Sequence, residues 1–450
     1  MQIIQIILAL SILVLIHELG HYTFARIFGI RIDKFFLFFD AGGIKLFSTR
    51  SSWFLKIFPK AADWETEYGI GWLPLGGYCK VNGMIDESMD TEHLKNEPQP
   101  WEFRSKPAWQ RLLVMFGGVL FNFILGIMLF SFSLYKWGDA YIPAEGSHIY
   151  VYEEIDGKET LGKKMGFKTG DMIIALDGKA PEDFRQIQID MARDMVSTVT
   201  VQRDNADGGK DTINLHIDHK YIADILNTPI FELAIPFVIS NLAENPSNDI
   251  LQVNDRIVKL DSTRIRYVQD ALPLLEAKAG QDIEATILRD TSLITATLPV
   301  NKDGNIGVYF TIPNLKRIKY SFAESIPAGL MKAYDATIGQ IKDIRLLAKP
   351  STGAYKSVGS VIAITEAMPQ QWNWYAFIHI LAMISIILAV MNLLPIPALD
   401  GGHIVFTIYE MITGRKPSDQ FLYVMQLIGM ILIFGLMFLA FGNDIARLMK

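Results

Sequence analysis

The stretch IIQIILALSILVLIHELGHYTFARIF, residues 3–28, is long and apolar enough to cross a lipid bilayer. About 20 apolar residues in a helix span the hydrocarbon core. The run nevertheless contains Glu18 and two histidines, His17 and His21, in its second half. Ionisable side chains at membrane depth are costly and mark functional sites by default. This stretch therefore predicts a membrane helix that carries chemistry.

The rest of the composition also indicates a membrane protein. Half of the 450 residues are hydrophobic, 20% are charged, and the mean hydropathy is +0.23. Three further apolar runs, 112–135, 375–394 and 421–440, are long enough to span, so we expect four transmembrane helices in all. The first run lacks a basic start and a cleavage site, so we do not expect a signal peptide.

Charge and cysteine content exclude some classes of function. The net charge of −6 gives no sign of nucleic-acid binding. Cys79 is the only cysteine, so a disulfide within the chain and a cysteine cage for a metal are both excluded. A metal site must therefore use histidines and carboxylates.

The distribution of lysine and arginine predicts the orientation, because cytoplasmic flanks of membrane helices are enriched in both. Basic residues follow the first span, precede the second, and lie between the third and fourth: Arg26, Arg31, Lys34, Lys45, Arg104, Lys106, Arg111, Arg415 and Lys416. Both termini and the long segment 136–374 are then expected on the extracytoplasmic side.

Two glycine-rich stretches lie between the first two spans, FFLFFDAGGIKLF (35–47) and EYGIGWLPLGGYCKVNGM (67–84). They are typical of membrane-associated β-hairpins turning at Gly42–Gly43 and Gly76–Gly77. Irregular or β backbone beside a membrane helix is tolerated where protein or a cavity satisfies its polar groups.

The extracytoplasmic segment contains a weak duplication. MGFKTGDMIIALDGKAPEDF begins at Met165, and NDILQVNDRIVKLDSTRIRYVQD begins at Asn248. Each copy has an aspartate, Asp171 or Asp255, before an apolar strand, and a later Arg-Asp pair at 203–204 or 289–290. Two copies of one small β-rich module are expected. The predicted segments are 1–135 (two spans and β elements), 136–225 and 226–312 (the modules), 313–374 (an amphipathic helical connector) and 375–450 (two spans).

His17, Glu18 and His21 form the pattern H-E-x-x-H. Residues four apart share one face of a helix, so both imidazoles can bind one cation. Two histidines, a carboxylate and an open position suit a catalytic Zn²⁺, and Glu18 can act as general base. The sequence therefore predicts one Zn²⁺ ion, with a third ligand supplied from elsewhere.

The stretch MNLLPIPALDGGHIVF (391–406) ends the third span and offers that ligand. The predicted topology places it at the same depth as the histidines. We favour Asp400, and His403 is the competing ligand. The prolines break the helix, so an extended backbone with free amides is expected between Asn392 and Asp400.

The second span carries Gly118, Asn122 and Gly126 on one stripe. Small residues on a stripe let helices pack closely, and an asparagine there faces the bundle. Helix packing is the expected role of the glycines. Asn122 could instead donate a hydrogen bond to a bound peptide, and the sequence leaves this open.

Together these motifs resemble those of the site-2 intramembrane metalloproteases. The shared parts are HELGH, GWLPLGGY, the glycine and Phe-Asn stretch of the second span, and NLLPIPALDGG. Their order over nearly the whole chain most resembles the bacterial branch that regulates sigma-E. The resemblance implies His17, His21 and Asp400 as zinc ligands and Glu18 as catalytic base. It also implies that residues 71–78 re-enter the membrane.

The resemblance further implies tandem PDZ domains that exclude substrates with large extracytoplasmic parts. The expected protein is a polytopic α-helical enzyme of the bacterial inner membrane, with its active site toward the cytoplasm. Its partners would be the lipid bilayer and pre-trimmed single-span substrates such as anti-sigma factors or remnant signal peptides. The second module departs from the PDZ pattern, with Asn254 before Asp255 in place of glycine.

Hydrolysis inside a membrane requires the substrate helix to unwind, and each freed backbone group is costly unless it is paired. Pairing with a β edge is one solution. The residues expected to contact substrate are Gly76, Gly77, Asn122, Asn392, Pro395 and Pro397. Two alternatives are a non-catalytic scaffold that binds clients through PDZ domains and a metal transporter, which would need more polar residues along its spans.

Overall fold

The computed structural model describes residues 1–74, 76–84, 97–155, 157–205, 207–243 and 249–449. Leu75 of the predicted re-entrant stretch and Asn248 of the second repeat lie outside these ranges. The chain forms two compact units. The membrane unit comprises Met1–Gly138, Lys319–Arg345 and Val358–Lys450, and the second unit comprises Asp139–Ile318 and Leu346–Ser357.

The described residues contain twelve α-helices. In chain order they are α1 (Gln2–Ile27), α2 (Ser52–Ile57), α3 (Ala108–Trp137), α4 (Leu161–Lys164), α5 (Ile187–Arg193), α6 (Ile222–Asn227), α7 (Val268–Ala277), α8 (Phe322–Leu347), α9 (Val361–Ala367), α10 (Trp374–Asn392), α11 (Asp400–Thr413) and α12 (Asp419–Leu448).

The same residues contain nineteen β-strands. They are β1 (Ile32–Leu37), β2 (Lys45–Ser48), β3 (Glu67–Gly71), β4 (Tyr78–Val81), β5 (Asp139–Tyr141), β6 (Ile149–Tyr150), β7 (Glu154–Ile155), β8 (Lys158–Glu159), β9 (Met172–Leu176), β10 (Thr198–Asp204), β11 (Lys210–His216), β12 (Glu232–Leu233), β13 (Ile239–Leu242), β14 (Arg256–Leu260), β15 (Thr263–Arg264), β16 (Asp282–Arg289), β17 (Ser292–Pro299), β18 (Val308–Phe310) and β19 (Lys316–Ile318).

Four of the described helices, α1, α3, α10 and α12, are long and apolar enough to cross a membrane. They coincide with the four predicted spans, and the protein is a multi-pass membrane protein. The bundle packs α1 and α10 against α3. The shorter helix α11 follows α10 and also contacts α3, where Glu410 pairs with Arg111.

The β elements of the membrane unit form one four-stranded sheet in the order β2-β3-β1-β4. β1 pairs in parallel with β3 and antiparallel with β4. The expectation of two separate hairpins is therefore wrong. Phe36 of β1 is fully buried, because a strand pairs with β1 on each side. Gly42 and Gly43, at φ 68° and 75°, turn the chain toward β2 at the far edge.

This sheet lies beside the second half of α1. The hydroxyls of Tyr22 on α1 and Tyr68 on β3 are 2.6 Å apart. Nearer the middle of α1, a Cβ added at Gly77 would lie 2.7 Å from Val14 Cγ1. The sheet therefore runs back along α1 from its C-terminal end toward its centre.

The second unit contains two separate hydrophobic cores. One core extends from Ile142 to Phe231 and includes Leu346 and Ala354, whereas the other extends from Phe237 to Ile306. The break between the cores falls just after the boundary predicted at 225–226, and the finer domain limits stay a prediction. The sheets β11-β10-β9 and β17-β16-β14-β15 repeat one arrangement, with α5 and α7 in equivalent places.

An arginine–aspartate pair also repeats between the modules. Arg203 binds the buried carboxylate of Asp171 through Nε at 2.6 Å and Nη2 at 2.7 Å. Arg289 binds Asp255 in the same way, at 2.8 and 2.7 Å. Each arginine comes from the Arg-Asp pair that the sequence repeat singled out. Burial raises the pKa of the Asp255 carboxyl, but hydrogen bonds from Arg289 and the Gln252 amide lower that pKa below its ordinary value.

The sequence departure at Asn254 leaves this geometry unchanged. Asn254 has φ 73°, in the left-handed region, where its counterpart Gly170 has φ 97°. Asparagine tolerates this conformation better than most residues, because its short polar side chain can bond locally. The turn before the buried aspartate therefore forms in both modules.

We expect Arg203→Ala to destabilise the first module by about 2 kcal/mol. This is below the roughly 3–5 kcal/mol for breaking a fully buried ion pair, because the Arg203 side chain is 20% exposed. Hydrogen exchange measured by mass spectrometry should show faster exchange in β9–β11 and no change in β14–β17. Arg289→Ala should give the opposite pattern.

The matched control is Lys163→Ala, which removes the exposed pair between Lys163 and Glu153. Such a pair contributes less than about 1 kcal/mol, so exchange should be unchanged. Equal effects of Arg203→Ala and Lys163→Ala would contradict a structural role for the buried pair.

Candidate metal centre

Two helices meet backbone to backbone at the centre of the membrane unit. A Cβ at Gly20 of α1 would clash with the carbonyl of Gly117 on α3, and a Cβ at Gly117 would lie 2.6 Å from the Gly20 oxygen. Without side chains between them, the helices approach closely. This contact brings residues of α3 next to His17 and His21.

His17, His21 and Asp400 form the one metal-compatible cluster found among the described residues. The Nε2 atoms of the two histidines are 3.2 Å apart. Oδ2 of Asp400 lies 3.2 Å from His17 Nε2 and 3.5 Å from His21 Nε2. The cluster includes Asp400 and not the competing ligand His403.

The outer nitrogen of His21 is held by the backbone of α3. His21 Nδ1 lies 2.9 Å from the carbonyl oxygen of Val114, so Nδ1 carries the proton and donates it. His21 Nε2 is then left with a lone pair directed at His17 and Asp400. A backbone carbonyl on the outer nitrogen is a common way to fix a metal-binding histidine.

The cluster fits Zn²⁺ in spacing and in donor type. Ligand atoms of a tetrahedral zinc site with bonds of 2.0–2.1 Å are about 3.3 Å apart, close to the three observed separations. Asp400 Oδ2 is buried and accepts no hydrogen bond from any described residue. A Cβ added at Gly118 would lie 2.5 Å from His21 Nε2 and 2.8 Å from His17 Nε2. Gly118 therefore leaves the space beside the ligand atoms open.

The loop between α10 and α11 positions Asp400. It consists of turns: the Leu394 amide donates to a carbonyl of the last turn of α10, and the amides of Ile396 and Leu399 donate to carbonyls within the loop. The expectation of an extended backbone with free amides is wrong, because the prolines are accommodated in successive turns. Ala398 has φ 83°, in the left-handed region.

Glycines of α11 and α12 allow both helices to pack closely against this loop. A Cβ at Gly401 would clash with the Leu394 carbonyl, and one at Gly402 would lie 2.6 Å from the Ile396 oxygen. On α12, a Cβ at Gly429 would clash with the carbonyl of Pro397. The glycines of the sequence LDGG thus let α11 start directly against the loop.

Glu18 lies beside the cluster on the side of the sheet. Its carboxylate interacts electrostatically with His17, His21 and Asp400, and it accepts a hydrogen bond from the backbone of Cys79 on β4. Glu18 therefore interacts with both the cluster and the edge strand β4.

Of the remaining predicted site residues, the two asparagines contact this centre. Asn122 is fully buried with Nδ2 3.1 Å from His17 Nδ1, and Asn392 Nδ2 lies 3.4 Å from His17 Nε2. Gly76 and Gly77 precede β4 and pack against Phe39, Phe36 and Val14. Pro395 is exposed, whereas Pro397 is half-buried in the loop before Asp400.

Sequence reasoning missed two features of the centre. The carbonyl of Val114 carries no side-chain signal, so no pattern could have indicated it. The open space at Gly118 could have been found, because the glycine stripe of the second span was recognised but assigned to helix packing alone.

The comparisons with known proteins agree with this geometry. Residues 5–436 match peptidase family M50. The Regulator of sigma-E protease RseP of Escherichia coli (strain K12) is 28% identical over 467 residues, covering 98% of each chain. The Regulator of sigma E protease of Salmonella typhi is 27% identical over 467 residues, with the same coverage.

A third relative, from Vibrio cholerae serotype O1, is provisionally named a zinc metalloprotease. It is 25% identical over 475 residues, covering 99% of this chain and 98% of the relative. The family match covers at least part of each of the four membrane-compatible helices and includes the histidine–aspartate cluster. The chain therefore belongs to peptidase family M50 and is a zinc metalloprotease of the site-2 type.

Proposed function

We propose that this protease hydrolyses peptide bonds within the transmembrane segments of single-span proteins, after another protease has trimmed them. Anti-sigma-factor-like proteins and remnant signal peptides are the substrate classes. The observation that carries the proposal is the convergence of His17, His21 and Asp400 beside Glu18 on a membrane-spanning helix. A centre at that depth serves substrates that are themselves in the membrane.

His17, His21 and Asp400 would hold the Zn²⁺ ion, and Glu18 would act as general base. When bound, zinc polarises the scissile carbonyl and makes a water molecule more acidic. The carboxylate of Glu18 accepts the proton of that water and then donates it to the nitrogen of the leaving amine. The Cys79 backbone amide donates a hydrogen bond to the Glu18 carboxylate.

The substrate strand is held between the sheet and the loop before Asp400. Gly76 and Gly77 directly precede the edge strand β4 next to Glu18, and no backbone hydrogen bond joins either glycine to another described residue. They can pair with an unwound substrate by β-augmentation. Asn392, Pro395 and Pro397 line the opposite side, and the Asn392 amide is close enough to contact a peptide at the centre.

The proposed location is the bacterial inner membrane with both termini extracytoplasmic. The basic residues that flank the spans support this orientation, which places the metal centre toward the cytoplasmic side. The two modules of the second unit act as PDZ-like filters that exclude substrates with large extracytoplasmic parts.

Glu18→Gln tests the catalytic role. Glutamine keeps the size of the side chain but cannot accept a proton, so cleavage of a single-span substrate should fall by about 10²–10⁴-fold. Zinc content measured by mass spectrometry should stay near one ion per chain. Glu159→Gln, on the exposed strand β8, is the control and should leave cleavage unchanged. Cleavage by Glu18→Gln at the wild-type rate would contradict the assignment.

Asp400→Asn and His403→Asn together test the third ligand. A neutral amide is a poorer zinc donor than a carboxylate, so Asp400→Asn should lose most of its zinc on dialysis against a chelator. His403→Asn should keep it, because His403 is not part of the cluster. The reverse result would assign the third ligand to His403.

A further inference from the structure

A short aromatic segment outside the four spans lies at the depth where α1 ends. This segment, named here the interfacial loop, comprises residues 50–64 and includes α2. Directly after it, Glu65 pairs with Arg26, the penultimate residue of α1, at 2.7 Å. The pairing of Tyr22 with Tyr68 fixes the next part of the sheet one turn deeper. The interfacial loop is therefore level with the end of a membrane span.

Hydrogen bonds from Arg50 hold the interfacial loop together on its inner side. The Arg50 guanidinium donates to the carbonyl of Ala61 at 3.1 Å and also to those of Ala62 and Trp64. Ala61 is fully buried. Because these carbonyls are satisfied internally, the outer face can approach lipid without exposing unpaired backbone groups.

The outer face is apolar and aromatic with two adjacent cations. Trp53, Ile57 and Phe58 are 53%, 62% and 54% exposed. Lys56 and Lys60 are also exposed, and neither forms an ion pair within the described part of the chain. Large apolar side chains next to lysines are typical of surfaces that bind the headgroup layer of a membrane.

We propose that the interfacial loop docks into the phospholipid headgroup layer. Trp53, Ile57 and Phe58 insert at the boundary with the acyl chains, and Lys56 and Lys60 bind lipid phosphates. The interfacial loop follows β2, the strand at the far edge of the sheet from β4. Three strand spacings, about 14 Å, separate the two edges. Lipid docking therefore anchors the edge of the sheet that lies farthest from β4.

Nitroxide depth measurements on the full-length protein in vesicles test this docking. Ile57→Cys and Phe58→Cys are labelled separately in a Cys79→Ser background, in phosphatidylcholine–phosphatidylglycerol vesicles. Both labels should collide with oxygen more than with a water-soluble nickel chelate, at about 5–10 Å below the phosphates. Leu293→Cys, at an exposed position of β17, is the control and should favour the nickel chelate.

Two results would overturn the proposal. Labels at 57 and 58 that collide with nickel as often as the label at 293 would show a surface in water. Labels protected from both reagents would show a protein partner instead of lipid. Lys56→Glu with Lys60→Glu should make the label at 57 shallower in the anionic vesicles, and an unchanged depth would exclude phosphate binding by the lysines.

A separate observation concerns Asn122, and the inference from it rests on the proposed zinc site. Asn122 is fully buried, its Nδ2 lies 3.1 Å from His17 Nδ1, and its Oδ1 accepts no hydrogen bond from any described residue. Its backbone carbonyl accepts a hydrogen bond from Ser385 Oγ at 2.8 Å. Rotating the side-chain amide by 180° lets Oδ1 accept a hydrogen bond from the Nδ1–H group of His17.

We infer that Asn122 is a positioning residue for His17 rather than a substrate contact. The hydrogen bond keeps the proton on Nδ1 and leaves the lone pair of Nε2 directed at Asp400 and His21. It does for His17 what the Val114 carbonyl does for His21. Full burial also keeps Asn122 out of reach of a bound peptide.

Zinc affinity measured by chelator competition separates this role from simple packing. Asn122→Leu keeps the volume but removes the acceptor, so Zn²⁺ affinity should fall about 10–100-fold. Asn122→Asp restores an acceptor and should recover the affinity. Ser385→Ala removes a contact of Asn122 that does not involve His17 and should leave zinc affinity unchanged.

The outcomes distinguish this inference from the proposed function. Wild type without zinc affinity would contradict the zinc site itself, whereas equal affinity of Asn122→Leu and wild type would contradict only the role of Asn122. The ¹⁵N spectrum of His17 in the zinc-free wild type tests the inference without any substitution. It should show the proton on Nδ1, and a proton on Nε2 would overturn the inference.

Discussion

The contact between the backbones of α1 and α3 at Gly20 and Gly117 is the constraint on which the centre depends. It sets the separation of the two helices. At that separation the carbonyl of Val114 reaches His21, and the side chain of Asn122 reaches His17. Gly118, the next residue of α3, then leaves room beside both imidazoles. Wider spacing of the helices would remove all of these contacts together.

The sequence predicts much of this because the signals are local or are fixed by the membrane. Hydropathy alone identifies the four spans, and helical periodicity alone places His17 and His21 on one face. Asp400 is predicted by a longer argument, which uses the membrane depth of each motif to infer that the two motifs lie close together. A bilayer orders residues along one axis, so two motifs at the same predicted depth become candidates for contact even when they lie far apart in the chain.

The features that the sequence did not predict depend on lateral contacts, at right angles to the axis that the bilayer defines. The position of β1 in the middle of the sheet follows from the burial of Phe36, which no turn signal encodes. The turns before Asp400 depend on contacts with α11 and α12 that proline alone does not specify. An asparagine on a glycine stripe is equally compatible with packing, substrate binding and histidine contact. Its hydrogen-bond partner on α1 is what distinguishes these roles.

In the second unit, too, the sequence pattern identifies the residues but not the partners with which they pair. The repeat located Asp171, Asp255 and both Arg-Asp pairs, but the ion pairs themselves join residues more than thirty positions apart. Asn254 shows how a module can lose a glycine and keep its turn. A motif definition based on residue identity would reject this copy, whereas one based on backbone conformation would accept it.

The support of the Asp400 loop by Gly429 has a consequence for biosynthesis. His17 and His21 are made long before Asp400 and the helix behind its loop. Until those later elements have been made, the chain holds two histidines of the cluster without its carboxylate. Under the proposed assignment of these residues, a nascent molecule cannot yet cut the other chains that enter the membrane beside it. The order of synthesis then delays activity until the helices around Asp400 have been added.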